Sequence, residues 1–254
     1  VTDAAFLREQ TLPSAIDHAM EHLDSILVFD PPPDSHAWLQ KYWLHFLMQD
    51  FGAALALVDE GKIIPTDLVT LAREYLPHRN ADGYLDTDHF VSLIQQLSLS
   101  SPWRAPLAEK MVIYDSLQKR PVDDETRIVR EWIKINNPKW NSGNISFDFA
   151  RKTVRLRGNG LVSLTRTISD PKESRICLLH VLKPRILDLR NTGIHDLSQL
   201  DSLRLHELDL RKTPVKDLAP LKRNRSLRRI VLDHAQVSEH QLTALPETIE
   251  VVFG

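Results

Sequence analysis

Few side chains in this sequence stand at spacings that could do chemistry. His18 and His22 lie four residues apart and can share one helical face. A two-His metal site needs further ligands, and no HExxH motif supplies them. Cys177 has His180 three residues on, a spacing open to a nucleophilic dyad. The run around it is apolar, so we read the thiol as a small packed hydrophobe. Phosphoryl transfer requires a glycine-rich phosphate loop, a lysine, an HRD-type catalytic loop and a DFG metal site. None occurs: His78-Arg79-Asn80 puts Asn where the base should be, Gly158-Asn159-Gly160 is a lone glycine pair, and the chain has only 8 Gly. No catalytic residue is assigned, and neither metal nor cofactor is expected.

The segment His78 to Phe90 is the closest approach to a metal loop. Asn80, Asp82, Gly83, Leu85 and Asp86 match positions 3, 5, 6, 8 and 9 of an EF-hand calcium loop. His78 replaces the first acid and His89 replaces the bidentate Glu. A hard cation wants carboxylate oxygens at those two positions, so the segment reads as a plain acidic turn between helices. Lys222, Arg223, Arg225, Arg228 and Arg229 crowd into eight residues. Such a run can meet phosphate or nucleic acid, or simply be a solvated turn. No aromatic residue stands beside it for base stacking. We treat nucleic acid as an unlikely partner.

Composition bounds what can position these residues. Of 254 residues, 42% are hydrophobic, which argues for a globular chain. A single cysteine excludes an internal disulfide framework and cysteine-rich zinc modules. The longest apolar stretches, such as Leu55-Ala56-Leu57-Val58, fall far short of a membrane span. Val1 opens the chain with no basic-then-apolar signal segment, as an excised or processed piece would. The net charge of −2 hides a split: residues 1–137 carry 12 basic and 21 acidic side chains, residues 138–254 carry 20 and 13. Two units with different surfaces are expected.

The first, 1–137, reads as an all-α domain of about seven helices. Ser14 with Asp17 suggests a capping box, and Ile16, Ala19, Met20, Leu23, Ile26 and Leu27 then share a face. Pro31-Pro32-Pro33 ends that helix, and Asp34-Ser35 can cap the next, which carries Trp38, Tyr42, Phe46 and Leu47. Further helices are expected over about 51–60, 67–76, 87–98, 105–118 and 123–135. One segment resembles a tetratricopeptide repeat, with Trp38, Phe51 and Ala54 in its aromatic and small positions and Pro32 before it. Tyr42 occupies a position that repeat usually gives to a small residue. An ordinary helical bundle fits as well.

The second unit, 138–254, changes period. Ile145, Phe147 and Phe149 alternate, then Val154 and Leu156, with Arg151-Lys152 as a hairpin turn. Leu187-Asp188-Leu189 recurs as Leu208-Asp209-Leu210, Ile230-Val231-Leu232 and Val251-Val252-Phe253, at spacings of 21, 22 and 21. Val154-Arg155-Leu156 lies 33 residues before Leu187 and implies an insertion of about 12 residues, with a helix over 175–182. Asn159, Thr192 and Thr213 are expected as an inward polar ladder that Ala235 interrupts. The pattern resembles leucine-rich repeats, and the tails Asp196-Leu197-Ser198-Gln199-Leu200 and Asp217-Leu218-Ala219-Pro220-Leu221 are similar to the bacterial internalin type. Trp132 through Leu221 also resembles the repeat regions beyond the kinase domain of large bacterial serine/threonine protein kinases. The resemblance implies a short right-handed leucine-rich-repeat solenoid behind a hairpin cap, so the expected fold class is multidomain, α plus α/β solenoid.

In strands, residues flanking the inward leucines point outward. Arg155, Asp188 and Asp209 should form one column, followed by Val231. Arg157, Arg190, Arg211 and Asp233 should form a second, and Glu207, Arg229 and Glu250 a third. Three arginines in a column repel, so a carboxylate-rich partner, or the acidic helical half, is expected to neutralise them. The functional expectation is a non-catalytic protein-interaction module that senses or scaffolds within a larger bacterial signalling protein. It would bind a protein or peptide, with no small-molecule substrate. The alternatives are the regulatory region of a serine/threonine kinase, extracytoplasmic if its parent is membrane-anchored, and nucleic-acid binding through 222–229.

Overall fold

The structure, a computed structural model, describes residues 12–100, 104–118, 120–165, 177–200 and 203–254. Contacts divide the chain into two compact units at 120/121. Among the described residues, no helix is long and apolar enough to cross a membrane.

The first unit is helical, as the sequence predicts. It contains α1 (Leu12–Leu27), α2 (His36–Leu47), α3 (Phe51–Asp59), α4 (Thr66–Tyr75), α5 (Thr87–Ser100) and α6 (Ala105–Asp115). Ser14 lies inside α1 rather than capping it. Ser35 does cap α2, its hydroxyl accepting from the Ala37 N–H at 3.3 Å. Gly61, at φ +83°, follows the end of α3. Tyr42 has no exposed surface and its hydroxyl donates to the Leu68 carbonyl at 2.9 Å. The large ring at that position therefore joins α2 to α4 instead of keeping helices apart. Phe46 meets the edge of Phe51 at 5.1 Å, fixing the α2–α3 corner.

A buried ionic network anchors the turn before α5. Arg120 grips Asp115 through two bonds, of 2.6 and 2.7 Å, and donates to the Leu85 carbonyl at 2.7 Å. The other Asp115 contact comes from the Gln49 amide at 2.9 Å, and the Gln49 carbonyl accepts from the Leu85 N–H at 2.9 Å. Gln49 holds a left-handed φ of +62° to do this. The two side chains of the ion pair are only 9% and 2% exposed. A charge left alone at such a site is costly.

The second unit begins with α7 (Val122–Asn136), whose Val129 and Ile133 enter the core under the sheet. The helix assigned from sequence to residues 1–137 therefore packs with the sheet. Six strands follow: β1 (Ile145–Asp148), β2 (Thr153–Leu156), β3 (Ile186–Asp188), β4 (Glu207–Asp209), β5 (Arg229–Leu232) and β6 (Glu250–Phe253), with the short α8 (Glu239–Thr243) before the last. They lie side by side in chain order in one sheet. β1 runs antiparallel to β2, because Lys152 at φ +49° turns the hairpin, and the remaining neighbours are parallel.

This corrects the expected leucine-rich-repeat solenoid: the strands make a single six-stranded mixed sheet. The 21–22-residue spacing reports strand register within that sheet, pairing Leu187 with Leu208, Leu208 with Ile230 and Ile230 with Val251. Leu187, Leu208 and Ile230 are fully buried, each worth about 1.5–3 kcal/mol of burial. In the expected insertion, 166–176 lie outside the described residues, and Leu178–Leu182 form a 3-10 turn rather than a longer helix.

The inward polar ladder also differs from expectation. Thr192 and Thr213 are buried and donate to the carbonyls of Leu189 and Leu210 at 2.7 and 2.6 Å. Gly158, not Asn159, bridges to Thr192, and Asn159 is exposed. Ala235 does not break the ladder. It takes the left-handed position (φ +57°) occupied by Asn191 and Lys212 in the preceding layers. Gln236 then supplies the ladder group, donating to the Leu210 carbonyl and the Thr213 hydroxyl and accepting from the Asp233 N–H.

Two outcomes follow for stability. Arg120→Ala leaves Asp115 charged and buried, and urea unfolding of the first unit should show a loss of about 3–5 kcal/mol. Ala235→Gly relieves an L-residue in left-handed backbone, and the same measurement on the second unit should show a gain of about 0.5–1 kcal/mol.

Candidate functional site

The open face of the sheet is built by two-residue alternation. Leu187 and Leu189 point into the core, so Asp188 and Arg190 share the opposite face, and Leu208 to Arg211 repeats the arrangement one strand over. The expected columns are in place. Arg155 pairs in register with Asp188, Asp188 with Asp209 and Asp209 with Val231. Glu207, Arg229 and Glu250 stand side by side, with ionic contacts of 3.7 and 3.9 Å.

The columns are not independent. An Arg157 terminal nitrogen bonds Asp188, and another of its nitrogens donates to the Asp188 carbonyl at 3.1 Å. Arg190 bonds Asp188 at 2.8 Å and reaches Asp209 at 3.3 Å. Arg211 bonds Asp209 at 2.7 Å. At the end of the column Asp233 accepts from the Lys212 N–H at 2.6 Å. The result is a zigzag in which each carboxylate sits between two guanidinium groups. The two carboxylates are nearly covered, 10% and 11% exposed, while the Arg157, Arg190 and Arg211 side chains remain 29%, 38% and 28% exposed.

This corrects the expectation that the arginine column needs an outside acid. Its repulsion is relieved within the face, because Asp-Leu-Arg places opposite charges two residues apart on one side of a strand. That signal was present in both Asp188-Leu189-Arg190 and Asp209-Leu210-Arg211. Burial pushes the Asp188 carboxyl up, but hydrogen bonds from Arg190 and Arg157 outweigh it and hold the group below the usual aspartate range. The Asp188 hydrogen bond in turn raises Arg190, and the Asp209 hydrogen bond raises Arg211.

The other candidates separate cleanly. In the 78–90 turn the Asn80 side-chain oxygen Oδ1 accepts from the N–H groups of Asp82 and Tyr84 at 3.0 and 2.9 Å, and Asp86 bonds His89. The His78 and His89 rings stack at 3.7 Å. These oxygens serve the turn itself. No group of three or more His, Cys, Asp or Glu able to hold a metal occurs among the described residues. Cys177 is fully buried in the sheet's core, and burial pushes its thiol up to about 12, far from the thiolate that nucleophilic chemistry needs. His180 Nδ1 meets the Cys177 carbonyl at 2.9 Å, not the sulfur. Lys222, Arg223, Arg225, Arg228 and Arg229 are all exposed. Sequence reasoning did not single out Arg185, His206 and Arg228 as a row, although they precede β3, β4 and β5 at spacings of 21 and 22 residues.

No family model matches the chain, and no curated protein matches it significantly.

Asp188 provides a pH signature. Its lowered folded value means that its stabilisation is complete above the unfolded aspartate value of about 3.9 and disappears as pH falls from there through the folded value. Asp188→Asn should therefore cost stability at pH 7, with the gap to wild type closing below about pH 4 in a urea-unfolding series. A gap constant from pH 7 to pH 2 would contradict the ion-pair account.

Proposed function

We propose that the chain is a non-catalytic protein-interaction module whose recognition surface is the open face of the six-stranded sheet. The interlocked Arg157–Asp188–Arg190–Asp209–Arg211 zigzag carries this reading. Its guanidinium groups are partly exposed yet already held by carboxylates. Side chains ordered before binding lose less entropy on binding, and arginine's fork matches planar acceptors. A self-neutralised face favours a partner with hydrogen-bond acceptors and alternating charge over one that is merely acidic. A sensing or scaffolding role in a larger bacterial signalling protein is the setting we favour for such a surface. The fold by itself does not specify it.

The face is tested with Arg190→Gln combined with Arg211→Gln, which keeps hydrogen-bonding groups beside Asp188 and Asp209. Partners captured by the wild-type chain, identified by crosslinking and mass spectrometry, should be recovered at least tenfold less by the variant at a temperature well below its own, lowered, melting point, where circular dichroism shows it folded. Equal recovery would place recognition elsewhere.

A further inference from the structure

The positive excess of the second half concentrates in a row immediately before the parallel strands. The Arg185 N–H donates to the Lys152 carbonyl at 2.8 Å, the His206 N–H to the Arg185 carbonyl at 2.7 Å, and the Arg228 N–H to the His206 carbonyl at 2.9 Å. Four basic side chains from distant parts of the sequence are thus stacked in consecutive layers. Arg204 and Arg225 flank them, two residues before His206 and three before Arg228. All six side chains are exposed. Among the described residues none of the six takes part in an ion pair, in contrast to the open face, where every arginine of the zigzag meets an aspartate. The Arg228 guanidinium donates to the backbone carbonyls of Arg225 and Leu227.

We propose that this row is a binding surface for the phosphate backbone of duplex nucleic acid, read without regard to base sequence. Lys152 and Arg185 start from adjacent layers, about 4.8 Å apart, where like charges repel, so an anion that bridges layers is favoured. Arginine forks fit phosphate oxygens in bidentate fashion. Four layers span about 14 Å. Over that length a duplex offers roughly one charge per 1.7 Å, whereas an extended acidic peptide has only about four residues. The layers of Arg185, His206 and Arg228 carry no Phe, Tyr or Trp, the large rings on which single strands stack and which anchor protein hot spots. The exposed Phe149, at the hairpin end, is already packed edge-on against Phe147 at 4.1 Å. This surface is distinct from the open face, so the proposal stands or falls independently of the function proposed above.

The test is fluorescence anisotropy of the full chain with two 20-base-pair duplexes of unrelated sequence, titrated between 50 and 200 mM salt. Both should bind with the same affinity, which falls about 500-fold across that range if about five phosphates are contacted. Arg185→Gln with Arg228→Gln should weaken both duplexes at least tenfold and lower the salt slope by about two. Lys110→Gln with Lys139→Gln removes as many exposed charges elsewhere and should leave binding unchanged. Absence of binding at 50 mM salt, or equal weakening by the control pair, overturns the proposal. So does tighter binding of polyglutamate or of vesicles rich in anionic lipid than of duplex at equal salt.

Discussion

Parallel pairing at a spacing of 21 or 22 residues is the constraint on which the second unit depends. It places each residue of a strand beside its counterpart one layer away, at about 4.8 Å. For leucine this is favourable: Leu187, Leu208 and Ile230 stack into a dry core, and no strand could bury that row alone. For charged residues the same stacking is a difficulty, because aspartate lands beside aspartate and arginine beside arginine.

The sheet meets that difficulty in two ways. On its open face the strand's alternation puts a second, opposite column next to the first, and the side chains interlock diagonally across layers. Coverage by the Arg157 and Arg190 guanidinium groups keeps the Asp188 carboxylate ionised although it is nearly buried. Before the strands, where the backbone turns, no opposite column accompanies the basic row among the described residues. One layer architecture thus yields a charge-balanced surface and an unbalanced one a few residues away.

Polar groups inside the molecule follow a stricter rule, since each buried donor and acceptor needs a partner. Thr192, Thr213 and Gln236 satisfy carbonyls that the turns would otherwise leave bare. In the first unit Gln49 and Arg120, both held by Asp115, satisfy the N–H and the carbonyl of Leu85. A left-handed residue accompanies several of these devices, Gln49 and Ala235 among them.

The amino-acid sequence by itself determined the helices of the first unit, the strand positions of the second and which leucines enter the core, because apolar period is a local property that survives without knowledge of the fold. It also determined the outward columns, which follow from alternation alone. The hairpin turn at Arg151-Lys152 was legible too, but only the tertiary structure decided that this hairpin and the later strands join edge to edge in one mixed sheet. It alone decided that α7 joins the sheet's core and that Gln236, one residue past the expected position, completes the ladder. Pairing of Arg190 with both Asp188 and Asp209, and exposure of Arg185, His206 and Arg228 without carboxylates among the described residues, were likewise settled in three dimensions. The physical reason is common to all of these. Electrostatic and hydrogen-bond partners are set by distance in space, to within a few tenths of an ångström, and residue spacing along the chain specifies only which face a side chain starts from.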